Sequence, residues 1–296
     1  LNTLKKYLDP EVLARLSRLD IKARLIVEGF MSGLHKSPYK GFSQEFADYR
    51  QYMPGDELKR VDWKVYGRSD RFYIKEYQEE TNLRTYIMLD KSGSMGFGKK
   101  ITKLEYAKYL SASLAYMLIK QKDSVGLATF DEKIETLIPP SVKRSNFFEL
   151  LKLIDRAQPG KETSVSNVLY ELAQKTKRRG LIIIISDLLD DPGSVVKALR
   201  SFRYRKHEIL VFHILDEQEY DFPFTKAAMF QDLEDNSEMV IEPALIRASY
   251  QRKFKQFIKS YRHRLLESHI DYETVFTTTK YDRALLSYLQ KRGRLK

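Results

Sequence analysis

Apolar residues follow helical spacing in some stretches of this chain and form short runs in others, and the two patterns predict different elements. In "ITKLEYAKYLSASLAYMLIKQ" they recur every three or four positions, so Leu104, Ala107, Leu110, Leu114 and Met117 share one side of an amphipathic helix. "NFFELLKLIDRA" reads as a second helix, and "SVSNVLYELAQKT" aligns Val165, Val168, Leu169, Leu172 and Ala173 in a third. A helix near Val195 to Phe202, a long one from Pro243 to Leu266 and a closing one from about Asp282 complete this set. The strands are short apolar runs: "TYIMLD", "SVGLATF", "IETLIP", "HEILVFHILD" and "DYETVFTT". "GLIIIISD" is so continuously apolar that it should be a central strand covered on both faces.

From Thr85 onward, strands alternate with helices. That predicts an α/β fold with a doubly wound, mostly parallel sheet of Rossmann type, whose ligands bind beyond the carboxyl ends of the strands. Residues 220–243 interrupt the rhythm and read as a hairpin insertion around Asp235 and Asn236. Upstream the pattern differs. A helix is expected from Pro10 to about Gly33, with Leu13, Leu16, Leu19, Ile21, Leu25 and Ile26 as its apolar surface. Turn chemistry in "SPYKG" and "MPGD" and short strands such as "RFYIKEY" then suggest a small β-rich element. The expected organisation is therefore 1–83, an N-terminal helix plus β-rich element, and 84–292, the α/β domain.

Composition narrows the chemistry. With no cysteine in 296 residues, disulfides, thiolate metal sites and cysteine nucleophiles are excluded, and a cytoplasmic location, or one peripheral to a membrane, is the expectation. The longest apolar run, Leu181 to Ile185, falls far short of the roughly 20 residues of a membrane helix, so no membrane span is expected. Net charge is +12, and the long helix places Arg252, Lys253, Lys255, Lys259 and Arg262 opposite its aromatic side. Such a face is either simply solvated or attracts an acidic surface; no motif for specific nucleic-acid binding accompanies it.

The stretch "LDKSGSMGFGKK" has two readings. As G-S-M-G-F-G-K it imitates a phosphate loop, but Lys100 stands where a Ser or Thr hydroxyl should hold magnesium. Thr102 and Glu105 also form a T-x-x-E capping pattern that starts the helix too late to cradle a phosphate. As D-x-S-x-S it offers oxygens from Asp90, Ser92 and Ser94 at the end of the first strand of the α/β domain. Thr163, at the mouth of a helix, and Asp187, closing "IIIISD", lie on the same expected edge. Oxygen donors of this kind suit Mg²⁺, with Mn²⁺ or Ca²⁺ as other occupants. Helix capping and turn formation are the structural alternative for the same residues.

These five residues resemble a metal-ion-dependent adhesion site of the von Willebrand factor A domain, over about residues 84–292. The resemblance implies a divalent cation held by Asp90, Ser92, Ser94, Thr163 and Asp187, with a coordination position left for a partner's carboxylate. Lys161 and Glu162 replace the Gly-Gly that many members carry before the Thr. Residues 41–77 in turn resemble the signature of the bacterial domain of unknown function 58 family, through Phe46, Arg50, Tyr52, Pro54, Gly55, Asp56, Arg60, Asp62 and Trp63. That resemblance implies partnership with a MoxR-type AAA+ ATPase, or with an acidic client, in chaperone-like assembly or activation of other proteins. The leading expectation is a non-enzymatic, metal-dependent interaction module. A metal-dependent hydrolase and a basic nucleic-acid-binding protein are the alternatives. Against the hydrolase, His35, His207, His213, His263 and His269 show no ligand spacing.

Overall fold

In a computed structural model, the structure describes residues 19, 23–28, 49–51, 66–67, 72–75, 83–160, 164–225, 228–231 and 238–294. The chain divides into two compact units, Gly33–Asn82 and the remainder. In the smaller unit, strand β1 (Tyr49–Gln51) pairs antiparallel with β2 (Tyr73–Lys75), and Tyr66 stacks on Phe72 with ring centroids 4.3 Å apart. Most of the signature there, including Pro54, Gly55, Asp56 and Trp63, lies outside the described residues.

The larger unit is built on a six-stranded sheet. Its strands are β3 (Arg84–Asp90), β4 (Ser124–Phe130), β5 (Ile134–Ser141), β6 (Leu181–Ser186), β7 (Glu208–Leu215) and β10 (Asp271–Phe276). They lie in the order β10-β7-β6-β3-β4-β5, parallel throughout except for β5, which runs antiparallel to β4. This is the doubly wound, mostly parallel α/β arrangement that the alternation predicts. Winding begins at β3, goes outward through β4 and β5, then restarts at β6 on the other side. The point of reversal, between β3 and β6, is where a crevice opens at the carboxyl ends.

Sheet and helices bury the stripes read from the sequence. Every residue of β6 is buried, as a central strand requires. Helix α1 (Lys103–Lys120) buries Leu104, Ala107, Leu110, Leu114 and Met117, with Thr102 as N-cap accepting from the Glu105 N–H at 3.0 Å. Helix α2 is Arg144–Arg156. Helix α3 (Val165–Lys175) packs with α4 (Pro192–Tyr204) over Met88, Ile182, Ile184 and Val211. Two residues of α6 (Pro243–Glu267), Tyr261 and Leu265, join this cluster. The short α5 (Glu217–Asp221) follows β7, β8 (Ala228–Gln231) pairs antiparallel with β9 (Glu238–Ile241), and α7 (Tyr281–Arg294) closes the chain. The turn at Asp235 and Asn236 lies outside the described residues.

Two local features correct or sharpen the sequence reading. Residues 23–28 are helical, but Leu25 is 63% exposed, so it does not belong to the apolar surface assigned to it. The buried residues are Leu19, Ala23 and Val27, four apart on one face, and Leu25 lies two positions from that line. On the sheet edge, β5 carries Pro139 and Pro140, which an edge strand tolerates. Its close approach to β4 requires Gly126, where an added Cβ would sit 2.5 Å from the Ile138 carbonyl oxygen.

Candidate functional site

Asp90 ends β3 at the point of reversal and is fully buried. One carboxylate oxygen, Oδ1, accepts from the Ser92 N–H at 2.8 Å, turning the chain back over the strand end. The other, Oδ2, accepts from the Ser186 hydroxyl at 2.5 Å, across to β6. Ser92 Oγ and Ser94 Oγ lie 3.1 Å apart on a 3₁₀ turn, Gly93–Gly96. The intervening Lys91 turns away and pairs with Asp131 and, at 3.5 Å, with Glu135. Asp90, Ser92 and Ser94 are therefore brought together, and the alternation of the chain removes the lysine.

Asp187 follows β6 and is also buried. Its Oδ2 accepts from the Lys103 ammonium at 2.7 Å, while Leu189 N–H reaches its Oδ1 at a long 3.4 Å. Thr163, with Lys161 and Glu162, lies outside the described residues. Both ends of its loop are fastened beside the site. The Gly160 N–H donates to the Lys91 carbonyl at 2.7 Å, and Asp190 Oδ2 accepts from both the N–H and the hydroxyl of Ser166 at 2.9 Å. Tyr261 donates its hydroxyl to the Leu188 and Asp190 carbonyls at 2.9 and 3.1 Å, holding the loop after Asp187, in which Leu188 adopts a left-handed φ of 52°.

Burial first, and the charge of Asp187 second, push the Asp90 carboxyl up to about 7; its bonds with Ser186 and Ser92 pull it back only in part. Two carboxylates therefore meet in a buried place, where Asp187 has the Lys103 ammonium and Asp90 is held by the Ser92 N–H and the Ser186 hydroxyl. Lys103 is fully buried, and burial alone would lower its pKa. The Asp187 and Glu219 carboxylates override that effect and hold it above the usual lysine value. Burial raises Glu219, against the pull of Lys103. His213, in β7, is pushed down to about 4 by burial; its Nδ1 meets the Tyr272 hydroxyl at 2.6 Å, inside a ring of Phe257, Tyr261 and Tyr272.

The donor set fits a hard divalent cation in kind: two carboxylates and hydroxyls at one strand edge, with Asp90 held by neutral donors alone. Among the described residues no group of three or more His, Asp and Glu is placed to ligate a metal, so the hydroxyls would have to take part. The phosphate-loop spelling finds no matching structure, because the turn at 93–96 is separated from α1, whose first residue is Lys103.

Sequence reasoning missed Lys103 and Glu219. A lysine as the first residue of a helix opposes the positive end of the helix dipole, which was a readable signal. Glu219 was readable as the last residue of D-E-Q-E, since Asp216 and Glu219 form a capping box at the start of α5.

The fold and this crevice define a doubly wound α/β protein with an acidic, hydroxyl-bearing site at its switch point. Residues 48–259 match the family described as Protein of unknown function DUF58, and the chain belongs to that family. An uncharacterized protein of Mycobacterium tuberculosis is 27% identical over 243 residues, 80% of this chain and 76% of the relative. The uncharacterized protein YeaD of Bacillus subtilis is 20% identical over 147 residues, covering 49% of this chain and 35% of YeaD. Among solved structures, an aerotolerance-related membrane protein from Bacteroides fragilis is similar with a TM-score of 0.51 at 17% identity, over 71% of this chain and 98% of that one. That likeness is one of fold. No helix among the described residues is long and apolar enough to cross a membrane.

Proposed function

We propose that this protein is a non-enzymatic, metal-dependent protein-interaction module whose partner supplies a carboxylate. The observation that carries this reading is the meeting of buried Asp90 and Asp187 at the ends of the adjacent strands β3 and β6, beside the Ser92 and Ser94 hydroxyls. Asp90, Ser92, Ser94 and Asp187, with Thr163, would hold Mg²⁺, as the likeness of these residues to an adhesion site of the von Willebrand factor A domain implies. When bound, the cation supplies a Lewis-acidic position for an incoming Asp or Glu. Two protein carboxylates only neutralise a divalent ion, so a third from a partner is electrostatically welcome.

Among the described residues, the histidine and lysine beside this place are both engaged, and in this reading Asp90 serves as a cation ligand. His213 is sealed among aromatic rings and hydrogen-bonded to Tyr272, and Lys103 is committed to two carboxylates. The exposed cations of α6, among them Arg252, Lys253 and Lys259, favour the same kind of acidic partner. A MoxR-type AAA+ ATPase, or a client that it acts on, is the partner we assign to this surface.

Calorimetric titration of Mg²⁺ into the unaltered chain, Asp90→Ala and Thr163→Ala tests the proposal. Saturable binding that both variants lose supports it, and an unaltered chain that takes up no Mg²⁺ overturns it.

A further inference from the structure

Lys103 and Glu219 are no part of the proposed cation ligands, yet both are joined to them. The Lys103 ammonium donates to Asp187 Oδ2 at 2.7 Å and to Glu219 Oε1 at 2.5 Å, linking residues 84 and 116 positions away along the chain. Glu219 is in turn held in place. Its Oε2 accepts from the Asp216 N–H at 3.2 Å, and Asp216 Oδ2 accepts from the Thr277 hydroxyl at 2.8 Å. The loop after β6 and the short helix after β7 thus meet at one ammonium, brought there by the first residue of α1, and the loop after β10 steadies Asp216 behind them.

A buried lysine with two acidic partners is a costly way to fill space, since packed apolar residues would be as stable or more so. Its charge accounts for its presence. With Asp90 ionised, Asp90, Asp187 and Glu219 carry three negative charges and Lys103 one positive, which leaves two negative charges, the complement of a divalent ion. Without Glu219 the remaining set would carry only one net negative charge against the ion's two, and in a buried place such an imbalance is costly.

We infer that Lys103 and Glu219 form a charge-balancing pair for the cation site: Glu219 cancels the repulsion that Lys103, bonded to Asp187, would exert on the metal. This rests on the proposed function and deepens it. Both residues act through the field at the site, and neither touches the cation.

The test is Mg²⁺ titration of the folded full chain, with the fold of each variant checked by circular dichroism. Glu219→Gln keeps an amide oxygen for Lys103 but removes the charge, and is expected to weaken Mg²⁺ binding about tenfold or more. The double variant Lys103→Met/Glu219→Gln restores the net charge, and its affinity is expected to return to within about threefold of the unaltered chain. A merely structural pair would not show such rescue. Should the double variant fail to fold, Glu219→Asp replaces it: the shorter acid keeps the charge and is expected to bind more tightly than Glu219→Gln. Equal affinity of Glu219→Gln and the unaltered chain overturns the inference while leaving the metal site standing. Lack of rescue in the folded double variant, or in Glu219→Asp, overturns it too. An unaltered chain that binds no Mg²⁺ overturns both this inference and the proposed function.

Discussion

The Ser186 hydroxyl bonds to Asp90 Oδ2 at 2.5 Å, clamping the ends of β6 and β3 together where the sheet reverses its winding. The same hydroxyl accepts from the Leu188 N–H at 2.8 Å, so one side chain at the end of β6 both sets the turn that presents Asp187 and ties it to Asp90 on β3. The two carboxylates are therefore held near each other by the chain itself.

Burial, with that proximity second, has a pH signature. Asp90 is raised from 3.8 to about 7, so its favourable contribution is full below about pH 4 and is lost as pH rises through about 7. His213 is lowered from 6.5 to about 4, so its contribution is full above about pH 6.5 and is lost as pH falls through about 4. The two slopes oppose each other over nearly the same window. Thermal unfolding in chelator-treated buffer should show the midpoint of Asp90→Asn rising from pH 4 to 7, relative to the unaltered chain, and that of His213→Phe falling. Parallel slopes in the two variants would contradict the assignment.

Magnesium should be felt only where Asp90 is ionised. A ligand that binds the folded chain raises its stability in proportion to RT ln(1 + [L]/Kd). The rise in unfolding midpoint on adding Mg²⁺ is expected to be full at pH 8 and to fade as pH drops below about 7, where a proton occupies Asp90. A shift of the same size at pH 5 would place the ion elsewhere.

Tyr261 spans from α6 to the loop after Asp187, and its hydroxyl serves two carbonyls there. Tyr261→Phe removes both bonds; the Leu188 carbonyl keeps the Asp190 N–H at 2.7 Å while the part-buried Asp190 carbonyl loses the hydroxyl, and the change is expected to cost about 0.5–1.5 kcal/mol in urea denaturation. Because Leu188 is held in left-handed backbone within that loop, Mg²⁺ affinity should fall as well. Unchanged stability would mean that the loop keeps its shape without the tyrosine.

Gly126 is required by the backbone of the neighbouring strand. An added methyl would lie 2.5 Å from the Ile138 oxygen and 2.8 Å from the Pro140 nitrogen, neither of which can move without parting β4 from β5. Gly126→Ala is expected to destabilise by about 1–3 kcal/mol. Gly67→Ala, with nothing within 4 Å of the new carbon, should change stability by less than about 0.5 kcal/mol, and the urea midpoints of the two compare them directly.

Much of the fold was legible because it depends on local period. The stripe of α3 and the unbroken "LIIII" of β6 are statements about which faces meet water, and burial follows them residue by residue, whereas α1 buries its stripe and also Tyr106, Ser111, Ala112, Ala115 and Leu118 around it. Leu25 escaped this logic: an apolar residue in a helix does not declare by itself which side the rest of the molecule will cover.

The candidate site divides along the same line. Asp90, Ser92, Ser94 and Asp187 could be placed from sequence, because a carboxylate that ends an apolar run stands at a strand's carboxyl edge and parallel strands align those edges. Lys103 and Glu219 could be placed locally, one at a helix start and one in a capping box, but nothing local says that they touch. Their contact, 116 residues apart, exists because the crossovers lay α1 and α5 over the same crevice. Short-range periodicity thus determined the elements and the edge on which the chemistry sits. Only the winding of the chain decided which charges meet, because the energy of a buried ion pair depends on distance in space and not on distance in sequence.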